Sequence, residues 1–134
     1  LDERLVTRWL VEVDRRFKDL ESKASLYADS EEMSTQELEL LLSKGRLSGE
    51  KRFESVVENH RRMYDLILQI LEAGDRIIYT MEIYRQLFPN SPIVHDPKVQ
   101  GFVDYAKRRC EAYKPVLLDK ICIRDEIMKD IRGR

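Results

Sequence analysis

The two histidines of this chain are its most versatile side chains for proton or phosphate transfer, and His60 lies within a run of apolar residues. A phosphoacceptor histidine on a helical bundle would be followed by lysine and glycine, whereas Arg61, Arg62 and Met63 follow here. We therefore expect His60 to lie at the edge of a helical core and to bond to a neighbouring helix.

His95 stands next to Asp96, a pair that could contribute two ligands to a metal ion. No second histidine or cysteine lies at the spacing of a metal site. Asp96 precedes Pro97, and an aspartate N-cap followed by proline is a common helix start. The sequence thus explains this pair without a metal.

The other reactive residue types are not arranged for catalysis. The glutamates at positions 31, 32, 37 and 39 would serve a glycosidase only if two of them converged across a cleft, and a solvated acidic face accounts for them. No nucleophile elbow or phosphate-binding glycine loop is present. No catalytic, cofactor-binding or metal-binding residue is predicted, and we expect the chain not to be an enzyme.

Two basic clusters, Arg61–Arg62 and residues 107–109, could attract an acidic partner. Acidic residues flank both clusters at helical spacing, so we expect pairs within each helix to neutralise most of the charge. The whole chain holds 24 basic and 25 acidic residues for a net charge of −1. Nucleic acid is therefore not an expected partner.

A long apolar seam runs through the middle of the chain and dictates the architecture. Its members alternate in steps of three and four, which is the heptad pattern of a helix packed along its whole length. The seam comprises Phe53, Val56, His60, Met63, Ile67, Ile70, Gly74, Ile77, Met81, Tyr84 and Phe88. A helix over residues 50–88 would be more than about 50 Å long, which predicts an elongated protein.

Two further helices are predicted over residues 2–28 and from Pro97 towards the C-terminus, each with an apolar stripe. Pro115 interrupts the backbone ladder of the last helix, and we favour a kink over a division because the stripe continues in phase. The fold expected for residues 1–134 is a single all-α domain, an elongated up-down-up three-helix bundle.

The connection between the first two helices is expected to hold a short extra helix. Residues 29–32 form a polar break, and Ser34 and Glu37 have the spacing of a capping box. Leucines are too numerous here for one short helix face to bury, so we predict either a fourth packed helix or an exposed patch for a protein partner. The predicted docking residues are Leu38, Leu41, Leu42 and Leu47.

The start of the sequence and its two cysteines indicate the kind of protein and compartment from which the chain comes. The sequence begins at Leu1 without a signal peptide, which we interpret as a piece of a larger cytoplasmic protein. Cys110 and Cys122 fall in one predicted helix about 18 Å apart, too far to form a disulfide. No apolar run of about 18 residues exists, so direct membrane insertion is not expected.

Several motifs resemble those of spectrin repeats. Trp9 is followed by leucine and, two residues further on, by the acid Glu12, as in the first helix of that family, and residues 67–78 resemble the middle of its second helix. His60 and Tyr113 resemble the histidine and the aromatic of its second and third helices. The chain departs from the family in its long first connection, in Pro115, and in the short distance from His60 to the Ala-Gly pair.

This resemblance implies a non-catalytic structural spacer that also docks a protein partner. Its parent would be a cytoskeletal protein or a linker at the cytoplasmic face of the nuclear envelope. The alternative is a regulatory helical module beside a catalytic domain such as a Rho-family exchange factor. No cofactor is expected, and the residues do not determine the oligomeric state.

Overall fold

A computed structural model describes the backbone of residues 3–44 and 51–132, and the side chains of residues 3–26, 57–122, 125 and 129. It contains three α-helices, α1 (Glu3–Lys44), α2 (Lys51–Leu87) and α3 (Pro97–Arg132). A short 3-10 helix, Pro92–His95, lies between α2 and α3. Within the described backbone there is no strand, and the prediction of an all-α protein with three long helices is confirmed.

The first helix corrects our expectation of an extra helix. We predicted a break at residues 29–32 and a new helix starting at Ser34, but α1 continues through both to Lys44. Residues 29–44 contain neither glycine nor proline and are rich in glutamate and leucine, which are strong helix formers. A capping motif starts a helix only where the backbone leaves helical geometry, and nothing here forces it to do so.

The connection between α2 and α3 follows the prolines, as predicted. α2 ends at Leu87, two residues before Pro89, and α3 begins at Pro97. The Asp96 carboxylate accepts a hydrogen bond of 2.9 Å from the backbone N–H of Lys98, which confirms the predicted N-cap. The 3-10 helix was not predicted, and it buries Ile93 and Val94 against the core.

The third helix is not divided at Pro115. α3 is one continuous helix from Pro97 to Arg132 with this proline in its interior. Pro115 is exposed, and the apolar stripe continues on both sides of it through Tyr113 and Leu117. The division that we weighed against a kink is thus wrong.

The predicted seam of α2 is the inner face of this helix. From His60 to Tyr84 every predicted seam residue is buried, whereas Phe88 at its end is 38% exposed. The side chains of Phe53 and Val56 lie outside the described residues. On α1, Leu10 is buried, whereas Leu5 is 60% exposed and lies outside the buried face.

Hydrogen bonds between distant residues show how the helices meet. Glu3, at the start of α1, accepts a bond of 2.6 Å from Ser91 beyond the end of α2. Arg85 near the end of α2 bonds Gln100 near the start of α3 at 3.0 Å. α2 packs extensively against both other helices, while α1 and α3 share a smaller contact.

Gly74 lies at a place where α1 and α3 both approach α2 closely. A Cβ atom built at this position would overlap the Sγ of Cys110 on α3 and lie 3.1 Å from the ring of Phe17 on α1. The absence of a side chain at Gly74 therefore makes room for Cys110 and Phe17.

Candidate functional site

The outer face of α2 carries a second apolar stripe, opposite the buried seam. Leu68 is 40% exposed, Tyr79 60% and Ile83 56%, and they lie on one side of the helix because they are separated by about three turns and by one turn. An amphipathic helix normally has one apolar face and a polar one. α2 instead presents apolar residues on two sides, of which only one is covered.

A shallow open groove of about 710 Å³ follows this stripe. It is lined by Leu68, Leu71, Glu72, Asp75, Arg76, Tyr79, Thr80 and Ile83. The apolar residues occupy the ends, and charged residues lie between them. We call this surface, from Leu68 to Ile83, the outer face of α2.

The charges in the centre of the outer face are only partly satisfied within the chain. Arg76 forms an exposed ion pair of 3.1 Å with Glu72, one helical turn away. Asp75 makes no hydrogen bond or ion pair to any other described residue. An opposite charge on a partner could therefore pair with Asp75 without breaking an existing bond.

The inner packing of α2 is what leaves the outer face uncovered. Phe17 and Cys110 converge on Gly74 from the other two helices, so α1 and α3 both contact the inner side of α2. Ile67, Ile70 and Ile77 are fully buried there. The outer face of α2 consequently lies on the side of the helix away from these core contacts.

The predicted docking leucines cannot be placed on any surface. Leu38, Leu41 and Leu42 belong to the described backbone of α1, but their side chains lie outside the described residues. Leu47 lies outside the described chain altogether. Their role stays a prediction from the sequence.

A polar network that the sequence analysis missed connects α1 to α3. The buried carboxylate of Glu21 accepts hydrogen bonds from the Tyr105 hydroxyl at 2.7 Å, the Arg109 Nε at 2.6 Å and the Tyr113 hydroxyl at 2.9 Å. The donors lie four residues apart on one face of α3. The spacing of the donors can be recognised in the sequence. Their pairing with a residue about 84 to 92 positions earlier cannot.

The pKa values of the three donors are all raised, which keeps their hydrogen-bonding protons in place. The hydrogen bond to Glu21 raises the pKa of Tyr105, and the same carboxylate raises the pKa of Arg109. Burial is the main cause that raises the pKa of Tyr113. Both tyrosines therefore remain protonated donors and Arg109 remains charged at neutral pH, so the network stabilises structure and offers no acid or base.

Both histidines occupy structural positions, one in the core and one in the connection between α2 and α3. His60 is buried in the seam of α2 with 6% of its surface exposed, which agrees with a position in the core. His95 bonds the backbone carbonyl of Pro89 at 3.1 Å through Nε2, and its neighbour Asp96 caps α3. Over the described residues, no three histidine, cysteine or acidic side chains converge as a metal site would require.

The two basic clusters differ in how their charges are paired. Arg61 bonds Glu58 at 2.6 Å and Asp65 at 3.2 Å along α2, as predicted. Arg109, however, pairs with Glu21 of another helix rather than with an acid of its own helix. The prediction of pairing within the helix is thus confirmed for Arg61 and wrong for Arg109.

Two ionisable side chains of α3, Cys110 and Lys120, are buried. Burial raises the pKa of the Cys110 thiol to about 11, so it is a neutral, unreactive core residue at neutral pH. Burial lowers the pKa of the Lys120 ammonium to about 8. Cys122 is exposed, and neither cysteine is in a disulfide.

Neither the helices nor the comparisons assign a family. Among the described helices, none combines the length and the apolar character needed to cross a bilayer. Comparison of the chain with protein-family models, curated proteins and solved structures finds no match.

Proposed function

We propose that this chain is a non-catalytic helical spacer that docks a protein partner on the outer face of α2. The observation that supports this function is the exposure of Leu68, Tyr79 and Ile83 on a helix whose opposite face is already buried. Helix-in-groove recognition uses apolar anchors at such spacings. The expected partner is therefore an amphipathic helix with its own apolar stripe.

The energetics favour covering this face. Full burial of a large apolar side chain contributes about 1.5–3 kcal/mol, so three half-exposed anchors could supply several kcal/mol to binding. Part of that gain is lost to the ordering of the partner and the loss of its freedom. A reversible interaction of moderate affinity is the expected result.

The spacer role is supported by helix length and pairing. At about 1.5 Å per residue, the 37 residues of α2 extend about 55 Å. The bonds Glu3–Ser91 and Arg85–Gln100 join the ends of successive helices, as the up-down-up order requires. A spectrin-like spacer in a cytoskeletal or nuclear-envelope linker protein fits these features, with Leu38, Leu41, Leu42 and Leu47 as a second candidate docking segment.

Site-specific photocrosslinking tests the docking function. Tyr79 is replaced by benzoylphenylalanine in the full protein, in the cells that produce it, with Arg15 replaced in a matched control. The Arg15 side chain is 68% exposed and lies on α1, away from the outer face. We expect a protein adduct at position 79 that is absent at position 15 and lost with Leu68→Glu. Equal adducts at both positions, or none at 79, would contradict docking on this face.

A further inference from the structure

We infer that the partner helix on the outer face of α2 is the same helix of a second copy of this chain, in antiparallel orientation. This inference rests on the proposed docking function and names its partner. The two-fold axis would pass between Asp75 and Arg76. The chain would then form a homodimer through a pair of α2 helices.

The order of residues along the outer face supports this symmetry. In a two-fold interface, residue i contacts residue j and residue j contacts residue i. Reversing α2 about the point between Asp75 and Arg76 places Leu68 opposite Ile83 of the second copy, and Ile83 opposite its Leu68. Each apolar end of the face thereby meets an apolar end.

The charges at the centre of the face select the antiparallel direction. In this register Asp75 faces Arg76 of the second copy, and the symmetry repeats the pair. A parallel pairing in register would bring like charges together, which is unfavourable. Asp75 is exposed and forms no close ion pair with the described side chains, although its charge acts at longer range on Lys114 of α3.

The next position along the stripe fits the same arrangement. The reversal places Glu72 opposite Tyr79 of the second copy. A tyrosine hydroxyl can donate a hydrogen bond to a carboxylate while its ring covers apolar surface. The 60% exposure of Tyr79 in the single chain leaves the ring free to make this contact.

The outer face is long and open enough for a second helix. From Leu68 to Ile83 it extends about 22 Å, or roughly four helical turns. Phe17 of α1 and Cys110 of α3 contact α2 on the opposite side, at Gly74. The described residues that line the groove of the outer face all belong to α2.

Analytical ultracentrifugation of the full chain over a wide range of concentrations tests the dimer and its direction. We expect a reversible dimer, weakened about tenfold or more by Asp75→Arg or by Arg76→Asp, because each places like charges across the axis. The double variant D75R/R76D restores opposite charges in the antiparallel dimer. Its dissociation constant should return to within a few-fold of that of the unmodified chain.

A pair of apolar-to-acid substitutions provides the control. Ile83→Glu should abolish the dimer, whereas Leu118→Glu, at a 63% exposed leucine on α3, should leave it unchanged. Circular dichroism melts verify that all variants remain folded. If Ile83→Glu unfolds the chain, the charge-reversal series still decides the question.

The possible failures separate the two proposals. A chain that is monomeric at all concentrations overturns the homodimer, while an adduct between position 79 and a different protein would leave the docking function standing. A dimer that D75R/R76D does not restore overturns the antiparallel pairing. Absence of any adduct at position 79 contradicts both proposals.

Discussion

Gly74 shows how a single residue permits close packing of three helices at one point. A helix interior disfavours glycine by about 1 kcal/mol relative to alanine. Here the absence of a side chain lets Cys110 and Phe17 of two other helices approach the same turn of α2. The loss in helix propensity is offset by the close packing of three helices.

Replacing Gly74 by leucine should destabilise the protein. The added side chain would overlap the Cys110 sulfur, and overpacking of a core typically costs about 1–3 kcal/mol. Gly101→Leu is the matched control, because a Cβ at Gly101 meets nothing within 4 Å. We expect urea unfolding to show a loss of stability for the first variant and none for the second. Equal stability of the two variants would refute the packing role of Gly74.

The two cysteines should differ sharply in reactivity. A thiolate is the reactive form, and burial raises the pKa of the Cys110 thiol to about 11, so this group stays neutral in the folded chain. At pH 8 a thiol reagent should modify the exposed Cys122 rapidly and Cys110 only when the chain unfolds. In a Cys122→Ser variant, labelling of the folded chain should rise with pH towards 11. Rapid labelling of Cys110 at pH 8 under native conditions would contradict its burial.

At the scale of elements, the contact between α1 and α3 depends on Glu21. Arg109 is 41% exposed, so water screens its ion pair with this carboxylate. The hydrogen bonds from Tyr105 and Tyr113 reach the same buried group, and an unsatisfied buried group is costly. We therefore expect the tyrosine bonds to contribute at least as much stability as the ion pair.

A double-mutant cycle measures this network. Glu21→Gln should cost about 1–3 kcal/mol of unfolding free energy, as expected for hydrogen bonds to a charged group. Combination with Tyr113→Phe should cost less than the sum of the single changes, by about 0.5–1.5 kcal/mol. Asp19→Asn, at an exposed residue of α1, serves as the neutral control. Strict additivity would show that Glu21 and Tyr113 act independently.

At the scale of the whole molecule, the three helices contain 42, 37 and 36 residues. Each helix is therefore longer than the diameter of a compact globule of this chain length. A compact domain of this chain length would have a radius of gyration of about 14 Å. Their side-by-side packing predicts an elongated particle, which suits a spacer. The outer face of α2 runs parallel to the long axis and would join two such particles side by side.

Small-angle X-ray scattering tests the shape. For the monomeric Ile83→Glu variant we expect a radius of gyration clearly above about 14 Å, with a distance distribution skewed to long distances. Measurement at several concentrations excludes a contribution from association. A value near that of a compact sphere would mean that the long helices do not extend side by side in solution.

The spacing of apolar residues was sufficient to predict the inner face of α2, and the prolines were sufficient to predict the end of α2 and the start of α3. These properties are local, because a period of three and four residues selects one helix face and a proline removes a backbone donor. The continuity of α1 was harder to predict. Its polar residues 29–32 and capping motif compete with strong helix propensity, and short-range signals did not reveal which would prevail.

The partners of Glu21 and the neighbours of Gly74 became visible only in the folded chain. Tyr105 and Tyr113 are more than 80 residues from Glu21, and many pairings of amphipathic helices would satisfy the same apolar pattern. The exposed second stripe of α2, with Leu68, Tyr79 and Ile83, also became visible only in the folded chain. Whether a neighbouring helix covers such a stripe depends on where α1 and α3 pack, and the pattern of one helix does not contain that information.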